Sequence, residues 1–134
     1  MILIACVDDN LGLAFNHRRQ SRDRLLRRDL LEVVAARKLW MSPYSAGQFD
    51  PLPPNVRVSE DFWRQAGPGE FCFTELQPPG GWLDRLEGVV LYRWMRHYPS
   101  DLKFDLPLEG FRLQTRQEFA GSSHPKITRE VYVK

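Results

Sequence analysis

The sequence predicts a three-layer α/β domain whose mixed, mostly parallel central sheet ends in an antiparallel hairpin. Three observations carry that expectation. Ile2 to Val7 is a continuous apolar run rich in branched aliphatic residues, of a length that suits a strand buried on both faces. As far as Leu76, short apolar runs then alternate with amphipathic or turn-rich segments, a β-α-β-α-β order that calls for a parallel sheet covered by helices. Finally, Phe111 to Phe119 and Ile127 to Val133 alternate with period two around Ala120 to Lys126, the pattern of an antiparallel hairpin with a long loop. With 134 residues, 43% hydrophobic and 27% charged, the chain fits one domain, 1–134, around one core. A net charge of +2 is too low for a disordered chain at this apolar content, and no run of about 18 apolar residues is present to span a membrane. Met1 to Val7 is closed by Asp8 and Asp9, unlike a signal peptide or anchor. Cys6 and Cys72 both lie among apolar residues, which suits a reduced, cytoplasmic setting better than a disulfide framework.

The elements follow in order. Asp8-Asp9-Asn10 and Gly12 end the first strand, and Leu11 to Asn16 reads as a loop because Asn and Gly tolerate turn dihedrals. Ser21 is expected to cap a helix running to about Ala36, with Asp23 in its first turn, facing the positive end of the macrodipole. Leu26, Leu30, Val33 and Val34 share one face of that helix and Arg24, Arg28 and Glu32 the other, so it is amphipathic. Lys38 to Met41 reads as a strand, and Pro43 to Phe49 as one or two helical turns opening on a proline. Asp50-Pro51-Leu52-Pro53-Pro54 is a rigid connector. Val56 to Val58 is the next strand, Ser59 the cap of a helix over Glu60 to Ala66, and Glu70 to Leu76 a strand after the Gly67-Pro68-Gly69 turn. Val89 to Met95 is a further strand. Trp40, Trp63, Trp82 and Trp94 stand among apolar residues and read as packing rather than base-stacking platforms.

Several landmarks in this order resemble the dihydrofolate reductase fold. Leu3-Ile4-Ala5-Cys6-Val7-Asp8, with Leu11-Gly12 and then Asn16, is similar to that family's first strand and the start of its mobile active-site loop. Lys38 to Met41, Tyr44-Ser45 with Phe49, Pro51 to Ser59, His97-Tyr98-Pro99 to Phe104, Phe111 to Phe119, His124 and Glu130-Val131-Tyr132 resemble its later landmarks. The resemblance implies one proton-donating acid on the first helix. Asp23 is the nearest acid, whereas ungapped counting back from Met41 puts Leu26 there. It also implies a basic residue after the second strand and a Gly-Gly pair after the fifth, where this chain has Ser42-Pro43-Tyr44-Ser45 and Thr74-Glu75-Leu76. The expectation is a divergent relative of that scaffold with no cofactor, NADPH binding being the alternative; fold alone does not supply function. Phe15 to Arg24 and Phe119 to Thr128 also resemble small bacterial proteins to which the label ribonuclease Z is often attached. His17, His97 and His124 are scattered and cannot build the zinc pair of true ribonuclease Z, so no metal is expected.

The strongest functional signal is charge. Six arginines and one acid between Arg18 and Arg28 give a local +5 inside a total of +2. Guanidinium groups are rigid bidentate forks for phosphate or carboxylate, and a helix start adds free N–H donors. Asn16, Arg18, Arg19, Ser21, Arg22 and Arg24 are therefore candidate ligands for a small anion, against the reading of a solvated face with an Arg28–Glu32 pair. Asp8 beside Asp9 ends the first strand, where ligands gather in α/β sheets; the competing reading pairs these acids with nearby arginines to order the loop. His124 and Lys126, near Ser122 and Ser123 in the last long loop, are candidates for general acid–base work and charge stabilisation in RNA cleavage. Asp23 is the candidate acid for a reductase reaction. A polar turn is the bland reading of the His124 loop. Oligomeric state is not legible in the residues.

Overall fold

The computed structural model describes residues 1–134. Seven strands form the main sheet: β1 (Ile2–Val7), β4 (Leu39–Met41), β5 (Val56–Val58), β6 (Phe71–Phe73), β7 (Gly88–Arg93), β9 (Arg112–Phe119) and β10 (Ile127–Val133). Their order is β5-β4-β6-β1-β7-β10-β9. The first five run parallel. β10 pairs antiparallel with β7 and β9, closing the sheet with the expected hairpin. Three further strands, β2 (Gly12–Phe15), β3 (Arg18–Arg19) and β8 (Leu102–Lys103), make a small sheet in the order β3-β2-β8.

β1 is central, and its alternation divides the core. Leu3, Ala5 and Val7 join Phe62, Trp82, Leu86 and Phe104 on one face. Ile4 joins Leu26, Leu30 and Val34 of helix α1 (Arg24–Val34) together with Met41, Phe71 and Tyr92 on the other. Helices therefore cover both faces, as a parallel sheet requires. The first face is closed by α3 (Phe62–Gln65) and a 3₁₀ segment over Pro79–Arg85. Trp82 of that segment meets Phe62 edge-on at 5.7 Å and stacks on Trp63 at 5.4 Å, so these indoles pack as anticipated. α2 (Pro43–Ala46) is one turn capped by Ser42.

Four local expectations are corrected. Gly12–Phe15 is strand rather than loop, because Asn16 and His17 both adopt positive φ, at 51° and 58°, and so supply the two-residue turn that returns the chain as β3. α1 starts at Arg24 and Asp23, not Ser21, is its N-cap: the Asp23 carboxylate accepts from the N–H groups of Leu25 at 2.9 Å and Leu26 at 3.1 Å. Ser59 lies two residues too early to cap α3; its hydroxyl accepts from Asp61 N–H and the Gln65 amide instead. β6 stops at Phe73, where the Thr74 hydroxyl donates to the Gln77 carbonyl at 2.7 Å and turns the chain. No helix is long and apolar enough to cross a membrane.

Candidate functional site

The carboxyl ends of β1, β6 and β7 meet beside the β2–β3 hairpin, the place where an open α/β sheet receives a ligand. Here the place is filled by side chains. Arg19 of β3 lays its guanidinium over the Tyr44 ring, 4.2 Å from its centre. Its Nε and Nη2 donate to the two oxygens of Glu75 at 3.0 and 3.3 Å. The Ser45 hydroxyl and Gln48 amide donate to the same carboxylate at 2.8 and 3.0 Å. Glu75 is 8% exposed, so the charge is buried with every strong partner it needs. What remains among Cys6, Leu13, Gln20, Thr74 and Trp94 is about 10 Å³, room for about one water. Burial, and then the Glu75 charge, push the Cys6 thiol well above its usual range.

A second cluster joins the start of α1 to the β9–β10 loop. His124 is buried, with Nδ1 3.1 Å from Asp23 Oδ2. Its Nε2 lies 2.7 Å from the Tyr98 hydroxyl and 3.2 Å from the Ser21 hydroxyl. Trp94 stacks on the imidazole at 4.5 Å. Asp23 also accepts from the backbone N–H groups of Ser122 at 2.9 Å and Ser123 at 2.8 Å. Burial alone would raise its carboxyl, but those N–H groups, His124 and Leu26 together hold it well below the usual carboxylate range.

The other expected site residues are dispersed. Lys126 pairs with Glu118 at 3.0 Å and makes no hydrogen bond or ion pair with the His124 cluster. Asp8 orders its loop without any arginine: Oδ1 accepts from Asn10 and Gly12 N–H, at 2.9 and 2.7 Å, and Oδ2 from Tyr98 N–H at 3.0 Å. Burial opposes ionisation of Asp8, yet these three N–H groups lower its pKa. Asn16 sits at the hairpin tip, its N–H on Asp101 at 3.1 Å. Arg18 lines a cavity of about 320 Å³ with Asn16, Gln20 and Tyr98, and Arg22 is exposed. None of the larger cavities is lined by Asp8, Arg22 or His124.

The largest cavity lies elsewhere along the same arginine-rich segment. Arg24, Arg27, Arg28, Leu31 and Glu32 line one side of a space of about 540 Å³, and Gln48, Phe49, Asp50 and Pro51 the other. Arg28 reaches Glu32 at 3.5 Å in an exposed pair. Arg27 has no such partner: its Nη1 is buried and unbonded. Burial, and then the neighbouring guanidinium groups of Arg22, Arg19 and Arg24, lower its pKa against the opposing charge of Asp23. Arg27 is the residue that sequence reasoning passed over. The signal was present, since Arg24, Arg27, Arg28 and Leu31 have the i, i+3, i+4, i+7 spacing of one helix face.

No protein-family model matches the chain, and no curated protein matches it in sequence. Among solved structures it is similar to dihydrofolate reductase from Enterococcus faecalis complexed with NADP(H) and RAB-propyl, with a TM-score of 0.70 and 9% identity over 98% of this chain and 94% of that one. The fold is thus dihydrofolate reductase-like, as the landmarks implied. The residues at the strand ends do not fit a nicotinamide dinucleotide. The 10 Å³ left there cannot take a ring. Beyond β6 the chain presents the Glu75 carboxylate, which repels phosphate, and the one cation beside it, Arg19, is committed to that carboxylate. Nor does any group of three or more His, Cys, Asp or Glu side chains converge as a metal site.

Proposed function

We propose that this dihydrofolate reductase-like domain binds a small phosphate- or carboxylate-bearing ligand in the cleft between α1 and Gln48–Pro51, without nicotinamide chemistry. The single observation that carries the reading is the convergence of Arg24, Arg27 and Arg28 on one cleft, with Arg27 forming no hydrogen bond through its buried Nη1. A partly buried cation without a hydrogen-bonded acceptor is costly, and Arg27 makes no ion pair with the nearest carboxylates, Asp23, Glu32 and Asp50. Arg24 and Arg28 stand one turn apart on the same face, which makes room for bidentate bonds to a single tetrahedral or planar anion. Leu31, Phe49 and Pro51 add an apolar wall for the ligand's body. Of the arginines expected to hold the anion, Arg24 keeps that role here, Arg19 is spent on Glu75, and Arg27 and Arg28 take the places of Arg18 and Arg22.

Thermal unfolding in the presence of pyrophosphate tests the reading. Ligand at 100 times its Kd adds about 2.7 kcal/mol to the folded state, so the wild-type midpoint rises with concentration. The Arg27→Met variant, which keeps an apolar stem, loses that rise. An equal rise in both proteins refutes the assignment.

A further inference from the structure

The cleft between α1 and Gln48–Pro51 is not purely basic. Besides Arg24, Arg27 and Arg28, the carboxylates of Glu32 and Asp50 line it. A bare phosphate drawn in by the arginines meets repulsion from both. We propose, resting on the anion reading above, that the ligand class is a phosphorylated primary amine: a phosphate dianion and a protonated amine joined by a short aliphatic spacer.

The first support is charge balance. Three guanidinium groups and two carboxylates leave the lining with one excess positive charge. A phosphate dianion joined to an ammonium group carries one excess negative charge, and it answers both signs of the lining where a simple anion answers only one. The second support is the order of residues along α1. The three cations fall within its first five residues, and Glu32 follows Arg27 and Arg28 by five and four positions. At 1.5 Å per residue that is about 6–8 Å further along the axis, so phosphate and amine are held at different levels of one groove. Leu31 lines the same wall beside Glu32, and Phe49 and Pro51 line the opposite one. They offer apolar surface to the spacer.

The third support is availability. No ion pair of the protein involves Arg27 or Asp50. Glu32 has only Arg28, at 3.5 Å, in a pair whose side chains are 73% and 68% exposed. Such a pair is worth little, so an incoming phosphate takes Arg28, and an incoming ammonium group Glu32, at small cost. An ammonium group has three donors and no acceptor. Besides the two carboxylates, Gln48 supplies an acceptor, because its amide nitrogen is spent on Glu75 and its amide oxygen is not.

Isothermal titration calorimetry of the full chain with 3-aminopropyl phosphate and with propyl phosphate tests the assignment. The buffer is set at about pH 8, where both phosphates are dianions and the amine stays protonated. Wild-type protein should bind the amine about fivefold more tightly, the worth of an exposed charge pair. With Glu32→Gln and Asp50→Asn combined, that preference should fall to within about twofold, and propyl phosphate should bind more tightly than it does to wild type, since the exposed repelling charges are gone. Both positions are exposed, and comparing two ligands on one protein is independent of any change in its stability. Equal affinities in the wild type, a preference for propyl phosphate, or a preference that survives the double substitution overturns the proposal and leaves the anion reading standing. Saturable binding of neither compound overturns it as well, and the response to pyrophosphate then decides whether the anion reading falls with it.

Discussion

Arg27 and Asp23 lie four residues apart, and their environments are opposite. Arg27 has burial and like charge without an acceptor. Asp23 has seven hydrogen-bond contacts to its one carboxylate, from the N–H groups of Leu25, Leu26, Ser122 and Ser123, the hydroxyls of Ser122 and Ser123, and His124 Nδ1. An unsatisfied buried polar group costs about 1–3 kcal/mol, so Arg27→Met should leave ligand-free stability unchanged or raise it by about 1 kcal/mol, read from urea midpoints. A loss of several kcal/mol would make Arg27 a structural residue instead. For Asp23 the linkage sign is fixed by its lowered pKa. The folded carboxyl releases its proton more readily than the unfolded one, so its stabilisation is full above the unfolded value of about 3.9 and is lost as pH falls below it toward the folded value. Asp23→Asn should therefore be destabilised at pH 7 and show a shallower acid limb than wild type between about pH 4 and 2; an unchanged acid limb would show that other carboxylates govern it.

At the scale of elements, the β2–β3 hairpin matters most, because Arg19 fastens it to Tyr44 and Glu75. Arg19→Ala leaves Glu75 with its Ser45 and Gln48 partners but without its counter-charge, and about 2–4 kcal/mol of stability should go with it. A cost below about 0.5 kcal/mol would mean that the clasp is incidental. The hairpin also marks where the sequence ceased to be legible. The central β1 could be read from its apolar run and β10 from its period-two alternation, and the Leu26, Leu30 and Val34 stripe identified the buried face of α1. Gly12–Phe15 could not, since its turn is Asn16-His17 rather than an Asn-Gly pair. The cap of α1 was misread for a related reason: serine and aspartate cap about equally well, and only Ser122 and Ser123, about a hundred residues away in sequence, decide for Asp23. The joining of Ser21, Asp23 and His124 depends on that same distant loop. Asp8 was legible as a strand-end acid, but its backbone partners Asn10, Gly12 and Tyr98 needed the turn itself.

Over the whole molecule, the sheet is that of a dihydrofolate reductase-like fold and its strand ends are packed with side chains. The clasp formed by Arg19 and Glu75 occupies the strand ends, while the positive charge left over from that clasp lines α1. Titration with NADPH, followed by tryptophan fluorescence, should accordingly give no saturable change; saturable quenching would restore the reductase reading. On the proposed reading, the excess charge of the segment serves a local anion site and not a surface for coating a polyanion, because the remainder of the chain is mildly acidic. The most direct measurement is an arginine side-chain Nε–Hε NMR spectrum of the ¹⁵N-labelled protein, titrated with pyrophosphate. The account predicts saturable shifts at Arg27 and Arg28 with Arg19 and Arg129 unmoved in their ion pairs. Shifts confined to Arg18 and Arg22, or no saturable shift at all, would contradict it.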